Sequence, residues 1–388
     1  MIIAHERLHD VIYWWFDYFF KQHDRTLRMG MAAMTSFLIV LLLGPFTIRY
    51  LLRKKVSDRT DFNQVDLNQL TKHKSNTPTM GGVLIVVAIF FSVLLFANLQ
   101  NMYIRMALLT VVWLGVLGGM DDWLKLRQAT GKGRRDGLKM WEKLIFQIGL
   151  SVLLSVFMYK YGGESPVVNG ANESSFPAHN FYIPFIAAPF LLGPLLHAVI
   201  TTLTMVGSSN AVNLTDGMDG LAAGCVIIVA GLMTLLSWGT GLFQWHIMFG
   251  VDYVPDSLEM TTLCAAIVGA CLGFLWYNAN PAQVFMGDTG SLALGGLLGY
   301  VAVVIRQEML LFIAGGVFVM EALSVILQVS YYKATKDKNG VGKRIFRMAP
   351  LHHHFHLGGL AESKVVARFW ILGIILAVLA MATLKLKW

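Results

Sequence analysis

The chain has 388 residues, 56% hydrophobic and 14% charged, with a formal net charge of +8. A soluble domain carries roughly a quarter charged residues, so this composition excludes one, and the even spread of apolar residues argues against a soluble domain on a single anchor. The basic residues fall beside apolar runs, which favours an anionic lipid surface and an anionic substrate over nucleic acid.

Residues 1–29 mix Trp14, Trp15 and Phe20 with charge and read as an interfacial segment without a cleavable signal pattern. A membrane helix needs roughly 20 mainly apolar residues. Ten runs qualify: 30–52, 80–98, 104–120, 143–161, 185–206, 218–238, 261–278, 290–305, 309–332 and 366–384. Only Arg306, Gln307 and Glu308 divide the eighth from the ninth, and Gly315-Gly316 is expected to bend the ninth. Cys225, Cys264 and Cys271 lie inside these runs, so neither a disulfide framework nor a zinc site is expected. The expected fold is an all-α polytopic membrane protein, a single integral membrane domain over 1–388.

Lys and Arg set the sidedness. Connections 53–79, 121–142 and 333–365 hold most of them, whereas 162–184 and 239–260 hold none. With ten spans the three basic connections share one side, the cytoplasm, and both termini face outward. The short connections 207–217 and 279–289 fall on that side too, rich in Asn, Asp and Gly. A cleft at the cytoplasmic face is therefore expected. Outside, 162–184 is expected to form a small hairpin and 239–260 a short interfacial helix.

Five strings carry chemistry. Lys72-His73-Lys74-Ser75-Asn76-Thr77-Pro78-Thr79-Met80-Gly81-Gly82 sets lysines before a small-residue turn; the cytoplasmic side explains the lysines but not the turn. In Gly118-Gly119-Met120-Asp121-Asp122-Trp123-Leu124-Lys125, two adjacent carboxylates end a span and Lys125 shares a helix face with Asp121. Such a pair holds Mg²⁺ or takes a proton, or is simply a solvated helix end. In the segment 210–220, Asn210, Asn213, Asp216 and Asp219 recur every third residue, with a glycine directly after each aspartate (Gly217 and Gly220), more than a polar turn requires. In the segment 278–291, Asn278 precedes Phe285-Met286-Gly287-Asp288-Thr289-Gly290-Ser291. That turn offers helix N-terminal amides for phosphate, a carboxylate for Mg²⁺ and an aromatic ring to stack on a base; a capped helix start is the plain alternative. Ala349-Pro350-Leu351-His352-His353-His354-Phe355-His356 suits phosphate contact and proton handling better than zinc, since adjacent side chains rarely converge on one ion. Within the ninth span, Gln328 is assigned to the site and Glu321 is not.

Acidic residues beside lipid are costly, so Asp121, Asp122, Asp216, Asp219 and Asp288 gathered at one face mark a functional site. A secondary transporter would place its polar residues near the midplane instead, and no internal repeat supports one.

In this order across ten spans, TPTMGG, MDDWLK, NAVNLTDGMDG, FMGDTGS and APLHHHFH resemble the phospho-N-acetylmuramoyl-pentapeptide transferases over residues 30–384. These form a branch of the polyprenyl-phosphate N-acetylhexosamine-1-phosphate transferase superfamily. The triple histidine after Ala-Pro points to this branch rather than to the N-acetylglucosamine one, which remains the alternative. The resemblance implies a bacterial inner-membrane enzyme, and a homodimer. Its substrates would be UDP-N-acetylmuramoyl-pentapeptide and undecaprenyl phosphate, its products lipid I and UMP, and its cofactor Mg²⁺. It implies catalytic roles for Asp121, Asp122, Asp288 and His352, with Asp288 as the metal ligand. It also implies substrate contacts for Lys74, Thr79, Lys125, Asn210, Asn213, Asp216, Asp219, Asn278, Phe285, Gly287, Ser291, Gln328, His353 and His354. The chain departs from the family in His356, where an acid is usual, in an insertion at 336–340, and over 58–71. A further basic residue of the cleft is either Lys139 or Lys143. Direct transfer and a two-step route through a phospho-aspartate are both open.

Overall fold

The computed structural model describes residues 25–54, 77–129, 137–162, 179–186, 188–338 and 340–385. Residues 1–24 of the expected interfacial segment 1–29, and Lys74, lie outside the described residues, whereas 25–29 already belong to the first helix. Each of the ten expected spans has its helix. They are α1 (Arg25–Arg53), α2 (Gly82–Phe96), α3 (Met102–Ala129), α4 (Met140–Tyr161), α5 (Pro194–Thr215) and α6 (Leu221–Gly241), then α8 (Glu259–Asn278), α9 (Gly287–Val304), the pair α10 (Glu308–Ala314) and α11 (Gly316–Ala334), and α13 (Glu362–Thr383). Among the described residues nine helices are long and apolar enough to cross a membrane; α2 is apolar but shorter, and α10 is a short helix before the break at Gly315. The short helix α7 (Phe243–Phe249) occupies the expected interfacial position, and α12 (Leu351–His356) carries the histidines.

Three expectations change. The fifth span starts at Pro194, not 185, because the strands β1 (Asn180–Phe181) and β2 (Phe190–Leu191) pair antiparallel ahead of it. The same helix runs to Thr215, so most of the expected loop 207–217 is helical. The third span continues to Ala129, which puts Asp121, Asp122 and Lys125 within a helix rather than at its end. In both helices the polar residues ended the apolar run in sequence, yet their side chains find partners in the bundle and the backbone continues.

The helices pack through small residues, as apolar surfaces in lipid must to gain close contact. Ser36 on α1 donates to the Ala266 carbonyl on α8 at 2.7 Å. Pro45 inside α1 lacks the N–H that the Leu41 carbonyl would accept, and the Tyr277 hydroxyl of α8 fills that place at 2.6 Å. Helix α9 lies at the centre, buried along its length from Asp288 to Val304. Its first turn is approached by α2 and α3: a Cβ on Gly82 would stand 2.2 Å from the Gly290 nitrogen, and one on Gly118 would stand 2.2 Å from the Asp288 carbonyl oxygen.

Backbone atoms cannot swing aside, so Gly118→Ala should destabilise the protein by about 1–3 kcal/mol. Gly149→Ala on α4, where a Cβ would meet nothing within 4 Å, should not. Thermal unfolding of both variants in detergent checks this, and equal midpoints would contradict the packing described.

Candidate active site

The site is built on the N-terminus of α9, whose first backbone N–H groups have no helical partner. Gly287 turns into the helix at φ +71, a conformation that favours glycine. Asp122 supplies the missing acceptors from α3: its Oδ1 takes the Asp288 N–H at 3.1 Å, and its Oδ2 takes the Thr289 N–H at 3.0 Å and the Thr289 hydroxyl at 2.6 Å. The small-residue turn before α2 lies alongside. Phe285 N–H donates to the Pro78 carbonyl, Gly81 N–H to that of Phe285, and Gly82 N–H to that of Met286, each at 2.8 Å. The turn thus straps the loop before Asp288, with Thr79 buried and the ring of Phe285 half-buried.

Asp121 and Asp288 meet across two ammonium groups. Lys143 Nζ is 2.7 Å from Asp121 Oδ2 and 2.5 Å from Asp288 Oδ2. Lys125 Nζ is 2.8 Å from Asp121 Oδ2 and 3.3 Å from Asp288 Oδ1. Leu138 N–H donates to Asp121 Oδ1 at 2.6 Å. Asn213 on α5 donates to Asp288 Oδ1 and to Ser291 Oγ, both at 2.9 Å. Of the two candidate lysines, Lys143 is the one that joins this cluster; the Lys139 backbone caps α4 by donating to Glu142. Asp121, Asp122 and Asp288 each bring one oxygen within 4.8 Å of the others, a spacing that fits one cation. The donors are hard oxygens, which match Mg²⁺ chemistry.

Asp216 ends α5 and its carboxylate receives the Gly287 N–H. Burial, with the Asp288 and Asp122 carboxylates nearby, pushes its pKa up to about 7. Asp219 points elsewhere: its Oδ2 accepts from Asn280 and from Ala282 N–H, both at 3.0 Å, and its N–H donates to Glu362. Asn278 bridges Gly220 N–H and the Val284 carbonyl, tying the two polar turns together. Asn210 faces α4, donating to Gln147 Oε1 at 2.9 Å, so it does not join the acidic cluster.

The histidines are held from α11. Glu321, fully buried, accepts the His352 N–H at 3.2 Å and lies 3.2 Å from His352 Nδ1. His352 is also fully buried, with Nε2 against Gly217, where a Cβ would come within 2.3 Å. The histidine helix is thereby docked on the Asp216–Asp219 turn. His353 is buried beside it with ring centroids 4.2 Å apart, and His354 Nδ1 accepts the Arg347 N–H. Gln328 does not open onto the cluster: its Oε1 accepts Ile345 and Phe346 N–H, anchoring the loop ahead of the histidines. His356 holds the Leu360 carbonyl at 2.9 Å.

A family model described as glycosyl transferase family 4 matches residues 104–306. A phospho-N-acetylmuramoyl-pentapeptide-transferase signature matches residues 74–86, which include the strap and the first turn of α2. Two relatives carry that transferase name. One, from Geobacter sp. (strain M21), is 45% identical over 364 residues, covering 93% of this chain and 94% of its own length. The other, from Koribacter versatilis (strain Ellin345), is 42% identical over 374 residues, covering 93% of each chain. The chain belongs to the phospho-N-acetylmuramoyl-pentapeptide transferase family. It is a multi-pass bacterial membrane protein.

Sequence reasoning set Glu321 aside, read Thr289 only as a candidate helix cap and did not weigh Glu362, all of which touch site residues. A lone acid inside an apolar span was the available signal for Glu321, but its partner His352 is 31 positions away.

Two outcomes follow from this geometry. Asp122→Ala strips acceptors from two buried N–H groups, at about 1–3 kcal/mol each, and should lower the unfolding midpoint markedly. Asp216 has a folded pKa near 7, above its unfolded value, so the folded state holds the extra proton. Its contribution should therefore fall as pH rises from about 4 to about 7. In metal-free detergent, the midpoint of wild type relative to Asp216→Asn should drop over that range; a flat difference would contradict the shift.

Proposed function

We propose that this chain transfers phospho-N-acetylmuramoyl-pentapeptide from its UDP carrier to undecaprenyl phosphate, releasing UMP and lipid I at the cytoplasmic face. The observation that carries the reading is the Asp121–Asp288 pair, spanned by Lys125 and Lys143 at the start of α9 in a chain of this family. An oxygen of the lipid phosphate attacks the phosphorus that bears the sugar, and the bond to the UMP oxygen breaks. Asp288 would hold Mg²⁺, which supplies charge neutralisation for the pyrophosphate and the departing UMP. Lys125 and Lys143 reach the same phosphate oxygens, their ammonium groups already held beside Asp288. Asp121 orients the lipid phosphate and accepts its proton when it is present. Asp122 acts indirectly, by fixing the α9 turn that aims Asp288. Glu321 positions His352, and Gln328 positions the loop before it.

The lysine-rich connections support a cytoplasmic site, and the clustering of polar groups at span ends speaks against a transporter.

Purified protein in detergent should release UMP only with UDP-N-acetylmuramoyl-pentapeptide, undecaprenyl phosphate and Mg²⁺ together. Release from UDP-N-acetylglucosamine at an equal rate would reassign the sugar. Asp288→Asn should lower kcat by roughly a hundredfold or more with the fold retained; full activity would refute its metal role. Glu321→Gln should keep much of the turnover that Glu321→Ala loses, because the amide oxygen still accepts the His352 N–H. Equal loss in both would count against the positioning role.

A further inference from the structure

A cavity of about 410 Å³ lies between α5, α9, α10 and α11. Ile200, Leu203, Leu311 and Phe318 make its wall apolar. Leu203, Phe312 and Leu323 at its edge are exposed on membrane-spanning helices, so it opens sideways toward hydrocarbon. Gly207 borders it, and a Cβ there would meet nothing within 4 Å.

One charged group breaks the lining, whose other polar side chains are the hydroxyls of Thr204 and Ser208. Glu308, the first residue of α10, lines the cavity and is only 7% exposed. Its carboxylate receives its own backbone N–H, and Oε2 has no hydrogen-bond partner. Arg306 nearby aims its guanidinium at the Val303 and Gly162 carbonyls. A buried carboxylate oxygen without a donor is costly, and the complement to it is a cationic N–H group. Helix α9 has 18 residues, a rise of about 27 Å, close to the thickness of a bilayer's hydrocarbon core. Glu308 therefore stands at the membrane face opposite Asp288.

We propose that this cavity binds an aminophospholipid of the leaflet opposite the acidic site. Its primary ammonium sits on Glu308 and one acyl chain runs along Ile200, Leu203 and Gly207. Like charge excludes a polyprenyl phosphate headgroup from this end, and a quaternary ammonium has no N–H to give. The bound lipid braces the α10–α11 break at Gly315 against α5, the helix that presents Asn213 to Asp288. The site is independent of the transferase reading, since binding is read without turnover.

The test is thermal unfolding of the delipidated, detergent-solubilised full chain. It is titrated with phosphatidylethanolamine, phosphatidylcholine and phosphatidylglycerol of identical acyl chains, and with dodecylamine. Phosphatidylethanolamine should raise the midpoint by several degrees more than the other two phospholipids. Glu308→Gln, shown monodisperse, should remove that difference, and so should Gly207→Leu, which fills the channel from the other wall. Equal shifts from phosphatidylethanolamine and phosphatidylcholine, or a difference that survives Glu308→Gln, would overturn the proposal. A shift with dodecylamine and none with phosphatidylethanolamine would overturn the phospholipid as occupant.

Discussion

Two lysine ammoniums shared by Asp121 and Asp288 make the rest of this site possible. Carboxylates this well buried repel one another and lose hydration, a cost that only tightly held opposite charge offsets. Lys125 comes from the helix of Asp121, one turn on, while Lys143 comes from α4 and Asp288 from α9. The charges thus fix three helices in one relation, and Asn213 adds a fourth, α5. Removing one partner would leave an uncompensated buried charge, which explains why so many side chains converge there.

The surrounding contacts maintain that relation. Asp122 uses both oxygens on the start of α9, and Gly82 and Gly118 let α2 and α3 approach the same turn. The Pro78–Gly82 strap and the Asn278 bridge hold the loop before it. From α11, Glu321 and Gln328 fix the histidine helix over the Asp216 turn. On the proposed function, a polyanionic substrate reaching this place would meet ammonium groups already aimed and partly desolvated, leaving little reorganisation for the reaction itself.

Hydropathy made a helix legible at each of the ten expected runs, nine of them long and apolar enough to cross a membrane among the described residues, because a bilayer demands long apolar runs whatever the sequence does elsewhere. It misplaced the ends of α3 and α5, where Asp121, Asp122, Asn210 and Asn213 extend a helix past its apolar run. The acidic set was visible as residue types at one face. Its division of labour was not: whether Asp122 faces substrate or caps α9 depends on contacts more than 160 positions apart. Lys139 and Lys143 were equivalent in sequence and are separated only by the turn that starts α4. Asn210 shares the three-residue spacing of Asn213, yet a helix rotates them onto different neighbours, Gln147 for one and Asp288 for the other. The strap at 77–82 could be recognised as unusual, but its partner segment at 285–286 could not.

The most direct measurement of the central claim is a double-mutant cycle on kcat/KM for UMP release, using Asp121→Asn and Lys143→Met. If the shared ion cluster acts as one unit, the double variant loses little more than the worse single variant. Losses that simply multiply would show the two residues acting independently and would contradict the account.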